Sequence, residues 1–221
     1  MSSTAKRAVV SSVLVLMMAP LTGHAAGPMV DKETGVRFHP EQTINGTTFQ
    51  CLGAGVRKVI FVNVYAAEFC LEPGSLQPAL DDVAAAKAKG GSATDVSKVL
   101  ASDPALFDSL MGTAGDKLLI MHMVRDVSRE QLAKAFRESL SKVLPPEKVE
   151  KLLAIIPGNA SKNEDVKISS AGDTLTIDIA GKADTIHDAE IAQKIWSVWL
   201  GPHSVSPSLK QSIATNLVQG L

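Results

Sequence analysis

From Thr47 to Leu71 the chain reads as two long β-strands in succession, the first interrupted by a glycine pair. Thr47 to Leu52, Gly53-Ala54-Gly55 and Val56 to Val62 form the first; Asn63 to Leu71 forms the second, ended by Pro73-Gly74. Valine, isoleucine and phenylalanine suit a pleated, half-buried surface. Two glycines one residue apart in a strand mark a bulge or a place where another backbone comes close. Two strands of this length commit the chain to an antiparallel sheet, and the rest of the sequence must supply what covers it.

Further strands are legible downstream. Lys117 to Val124 is an unbroken apolar run of buried-strand type. Val166 to Ser169 and Thr174 to Ile179 alternate around the turn Ser170-Ala171-Gly172-Asp173, and Lys182 to Ile186 extends that sheet. Between them lie helices. Residues 76–115 are rich in alanine and small polar residues, with Asp103-Pro104 placing a cap before a proline at the first helical position. Ser128 and Gln131 have capping-box spacing, and Leu132, Ala135, Phe136, Leu140 and Val143 follow at helical intervals. Pro145-Pro146 opens a helix through Leu152, Leu153 and Ile156 that stops at Pro157-Gly158. Asp188 caps one through Ile191, Ile195, Val198 and Trp199, stopped by Gly201-Pro202, and Ser206-Pro207 starts the last. This order predicts an α+β fold, a large antiparallel sheet with helices over one side.

Residues 1–25 read as a secretory signal: Lys6 and Arg7, an apolar stretch from Ala8 to Met18, then Gly23 and Ala25 as small residues before the cut. The apolar run is shorter than the ~20 residues that span a bilayer, so no stable membrane span is expected after cleavage. The expected compartment is the periplasm or the exterior. The mature chain then divides into an N-terminal arm, 26–39, and one domain, 40–221. In an oxidising compartment Cys51 and Cys70, flanking the expected hairpin, are disulfide candidates, with two separate buried thiols as the alternative.

Charge narrows the function classes. With 22 Lys+Arg against 23 Asp+Glu, no basic face for nucleic acid is expected. His39, His122, His187 and His203 are scattered without metal-ligand spacing, so neither a metal nor a cofactor is expected. His122, inside an apolar strand, reads as a hydrogen-bonded sheet residue, Arg125-Asp126 as a surface ion pair, and Tyr65, Trp196 and Trp199 as core.

Three ordered stretches resemble the chalcone isomerase-like family, as a bacterial exported member: Leu52-Gly53-Ala54-Gly55-Val56-Arg57 with Val64-Tyr65 on the next strand; Lys117 to Val124 with Arg125-Asp126-Val127-Ser128; and Trp199-Leu200-Gly201 with Val205-Ser206-Pro207-Ser208-Leu209-Lys210. The resemblance implies an open-faced β-sandwich with a cleft between sheet and helices. It also implies that Arg57, after the double glycine, faces the ligand as the one retained catalytic or ligand-binding position. The family's other catalytic positions fall on Val59 to Val62, Leu132, Ser139 and Ile191-Ala192, which lack most of the needed hydroxyl and phenol groups.

The function this implies is binding of a small amphipathic anion, a fatty acid or an aromatic or phenolic acid, in the cleft near Arg57. Two alternatives stand beside it. One is an isomerase or intramolecular lyase of the chalcone–flavanone type with a divergent catalytic set, using His122 or a bound water. The other is a structural or interaction domain of the cell envelope.

Overall fold

The computed structural model describes residues 29–220. The expected signal, residues 1–25, lies outside the described residues. From the arm, β1 (Met29–Val30) pairs with β2 (Arg37–Phe38), and the sheet proper begins at β3 (Glu41–Ile44). The paired strands are β4 (Thr47–Val59) and β5 (Val62–Leu71). A single turn of 3-10 helix, Pro73–Ser75, leads into α1 (Gln77–Ala88), α2 (Ala93–Ser102) and α3 (Pro104–Gly112). Then come β6 (Lys117–Met123), α4 (Arg129–Leu140) and α5 (Pro146–Ala154). The chain closes with β7 (Asp165–Ala171), β8 (Thr174–Ile179), β9 (Lys182–His187), α6 (Ala189–Lys194), α7 (Ser197–Leu200) and α8 (Pro207–Gln219).

Strands β3 to β9 form one seven-stranded sheet in sequence order, antiparallel throughout. The helices bury one face of it. Tyr65, Ala67, Phe69 and Leu71 of β5 and Leu119, Met121 and Met123 of β6 point into that core with Trp196, Trp199 and the apolar faces of α4, α5 and α8. This is the α+β architecture expected from the sequence, a large antiparallel sheet with helices over one face.

Caps fix the helix starts locally. Ser128 and Gln131 make the reciprocal capping box, Asp103 accepts from Ala105 N, and Asp188 accepts from Glu190 N and Ile191 N. Three expectations are corrected. The first strand ends at Val59 and turns at Ile60-Phe61 instead of running to Val62. The helix after Asp188 is two pieces, α6 and α7. Val143 lies beyond the end of α4 and is partly exposed.

The glycine pair is explained by α8, which lies along β4. A Cβ on Gly53 would sit 2.6 Å from Ile213 N, and one on Gly55 would sit 2.3 Å from Leu209 N. At that distance the helix presents Ser208, Ser212 and Asn216 to the strand's free edge. Ser208 Oγ accepts from Val56 N at 3.1 Å, Ser212 Oγ accepts from Ala54 N at 3.1 Å, and Asn216 Nδ2 donates to Leu52 O at 3.0 Å. Polar side chains at i, i+4 and i+8 thus satisfy backbone groups that an uncovered edge would leave open.

The opposite face carries the cysteines. Cys51 and Cys70 are register partners with Cα atoms 3.8 Å apart, and their sulfurs are bonded. Closing that loop contributes roughly 3 kcal/mol in the chain-entropy account. Phe38 from the arm packs with Val56 and Ala66 on this same face.

Glu68 is buried beside the disulfide at 2% exposure. Gln42 Nε2 donates to its Oε1 at 2.6 Å, while Oε2 has no partner. Burial, opposed by the Gln42 bond, pushes the carboxyl from 4.5 up to about 7. The folded state therefore favours the neutral acid. That stabilisation is full below the unfolded pKa and is lost as pH rises through the folded one. Stability is expected to fall by about 3 kcal/mol between roughly pH 4.5 and pH 8. Urea unfolding of wild type and Glu68→Gln at both pH values checks this: the variant should lack the decline, and parallel behaviour of the two proteins would refute it.

Candidate functional site

A cleft of about 280 Å³ opens between the helix-facing side of the sheet and α4, α7 and the segment before α8. Its floor is Met121 and Met123 of β6 with Val64 and Tyr65 of β5; its walls include Leu132, Phe136, Val198 and Trp199. Polar groups at the cleft are Arg57, Tyr65, Arg125, Asp126, Gln131, Glu138 and Ser139. An apolar body with a few convergent polar groups is the usual make-up of a small-molecule site. The volume lies just below the roughly 300–1,000 Å³ that such sites span.

Arg57 and Tyr65 are register partners across the β4–β5 pair. Arg57 is half-buried, and its Nη1 donates to Val205 O at 2.8 Å. No carboxylate among the described residues pairs with it. The carbonyl belongs to the turn into α8, so the close approach that Gly53 and Gly55 permit also sets the guanidinium's position. Ser206, next in the chain, precedes α8 without capping it, and its buried hydroxyl has no partner.

Tyr65 is buried, and Trp199 Nε1 donates to its Oη at 3.0 Å. Burial pushes the phenol up to about 12, against the lowering effects of the Trp199 bond and the Arg57 charge. The phenol therefore keeps its proton at neutral pH, accepts from the indole, and sits beside the Arg57 guanidinium. Trp199 is fixed in turn by an edge-on contact with Phe136 at 6.1 Å between ring centres. Tyr65 is thus both core, as expected, and a cleft residue.

Other residues singled out from the sequence fall elsewhere. Met121 and Met123 face the cleft, so His122 between them points to the opposite face, where its Nδ1 meets Asp165 Oδ1 at 2.9 Å. It has no route to a ligand in the cleft. Arg125 and Asp126 do not form the expected ion pair. Both reach the cleft rim, and Asp126 Oδ1 accepts from Lys162 N at 2.8 Å. Leu132 and Ser139 line the cleft, whereas Ile191 is fully buried in the core and Ile60 projects into solvent. Cys51, Glu68 and Cys70 place potential ligand atoms within 4.8 Å of one another, but the disulfide occupies both sulfurs.

No protein-family profile and no curated protein sequence matches the chain. Among solved structures it is similar to a fatty-acid binding protein of Arabidopsis thaliana, with a TM-score of 0.65 and 16% sequence identity. The likeness covers 87% of this chain and 98% of that one. At this identity the likeness is one of fold.

Proposed function

We propose that this protein is an exported binder of a small amphipathic anion, whose carboxylate meets Arg57 and Tyr65 while its apolar part lies over Met121 and Met123. The observation that carries the reading is the half-buried Arg57 guanidinium, with only a backbone carbonyl as partner, beside a protonated phenol on an apolar floor. A desolvated guanidinium favours a planar anion that can take two parallel hydrogen bonds, and the phenol adds a third donor. The volume favours a medium-chain fatty acid such as decanoate or a single-ring aromatic acid over a long-chain lipid. Fold likeness to a fatty-acid binding protein supports the same class. No helix among the described residues is long and apolar enough to cross a membrane. Native mass spectrometry of the isolated chain tests the proposal directly: an organic acid should leave with it, and a protein that neither carries one nor binds added decanoate would refute the reading.

Ring closure of a chalcone needs a proton route as well as a charge to stabilise the enolate. Leu132 supplies no proton, and His122 is on the wrong face. Each missing acid–base contact is worth about 10²-fold or more. The protein is therefore expected to convert a hydroxychalcone little faster than buffer. A fast rate abolished by Arg57→Ala would make it an isomerase instead.

A further inference from the structure

The hairpin joining β4 and β5 ends in Val59-Ile60-Phe61-Val62, exposed by 48%, 84%, 92% and 49%. Single exposed apolar side chains are ordinary; four in a row at a point are not. The turn itself does not require them. Two-residue hairpin loops favour Asn-Gly or Asp-Gly because the loop needs positive φ. Here Ile60 adopts φ 60°, a region that β-branched residues avoid. An apolar pair therefore occupies a place where both local conformation and solvation disfavour it. Such local conflicts are expected where a segment has a function beyond folding.

The tip is continuous with the cleft. Val59 lines it, and Arg57 stands two residues further in on the same strand. Resting on the reading of the cleft as a site for an amphipathic anion, we infer that Ile60 and Phe61 dock the cleft mouth onto a lipid surface, where the ligand is exchanged. The size of the patch selects this occupant. A stable protein interface needs about 800 Å² from each partner, more than a four-residue point presents. A bilayer interface accepts individual apolar side chains at the level of the headgroups. Lys58 flanks the tip but is held by Glu33 at 2.5 Å, and exposed Arg125 at the rim adds one cation. Docking is therefore driven by apolar insertion, with a small share from anionic headgroups.

Sedimentation with vesicles of phosphatidylcholine and phosphatidylglycerol tests this on the full chain as isolated. The wild type should partition to the vesicles, and Ile60→Ser with Phe61→Ser should lower partitioning about tenfold or more. Decanoate affinity in solution should be the same for both, because neither Ile60 nor Phe61 lines the cleft. In Phe61→Trp, vesicles should shift emission of the new indole to the blue. A wild type that stays in solution, equal partitioning of the double variant, or unshifted emission would overturn the inference. So would a self-association of the chain that the double variant abolishes, because the tip would then belong to a second copy. Vesicle docking without decanoate binding would overturn the cleft reading on which the exchange rests, while leaving the docking tip in place.

Discussion

Gly55→Ala is expected to destabilise the fold by about 3 kcal/mol, at the upper end of ordinary overpacking costs. The added Cβ would lie 2.3 Å from Leu209 N and 2.6 Å from Leu209 Cα, both backbone atoms of α8. No rotamer change can relieve that contact, so the helix must withdraw. Withdrawal pulls Ser208, Ser212 and Asn216 from the backbone groups of Val56, Ala54 and Leu52. Each hydrogen bond lost at the buried edge adds to the steric cost. For a domain of this size the change corresponds to a fall in melting temperature of roughly 6–12 °C. Gly53→Ala should behave alike, with Ile213 N at 2.6 Å, and the two should not add, because one helix movement relieves both. Gly112→Ala is the control: it ends a helix with open space around its Cα and should stabilise by up to ~1 kcal/mol. Calorimetry that finds Gly55→Ala as stable as wild type would refute this account of the glycine pair.

The same residues show how much of the fold is legible in the sequence. Caps are local, so Asp103, Ser128 and Asp188 mark helix starts without knowledge of the tertiary structure. The strand end at Val59 is not local in that sense. Val59 to Val62 has the composition of a buried strand, because β-propensity measures fit to a packed sheet and carries no turn signal. A two-residue loop without Gly, Asn or Asp gives no mark of its own. The division between α6 and α7 is hidden for a related reason: both pieces bury Ile191, Ile195 and Trp199 in one core, so the apolar period continues across the break.

For the site, the glycine pair points to Arg57 but not to what approaches it. That signal lies in Ser208, Ser212 and Asn216, polar at successive helical turns, which matter only once α8 is set against β4. Tyr65 is hidden most thoroughly. In the sequence it is one more residue of an apolar strand, and its indole partner is 134 positions away.

Arg57→Ala is expected to weaken decanoate binding by about 2–5 kcal/mol, or roughly 30- to several thousand-fold. The range is large because the guanidinium is half-buried over an apolar floor, where a carboxylate without its counter-charge is poorly solvated. Arg57→Lys keeps the charge but loses the planar fork, and should fall between wild type and alanine. Tyr65→Phe removes one donor to the ligand and the acceptor for Trp199 Nε1, so it should weaken binding by about 1 kcal/mol and also lower stability. Stability and binding separate the roles. The fold loses one hydrogen bond to Val205 O in Arg57→Ala, a change of about 1 kcal/mol, while binding loses the main anchor. Calorimetric titration of the four proteins with decanoate, alongside their urea unfolding curves, reads both quantities. Graded loss in the order alanine, lysine, wild type, with stability little altered, is the result expected of an anion anchor. Equal affinities in all four proteins would make Arg57 a sheet-edge residue that holds the turn into α8 and nothing more.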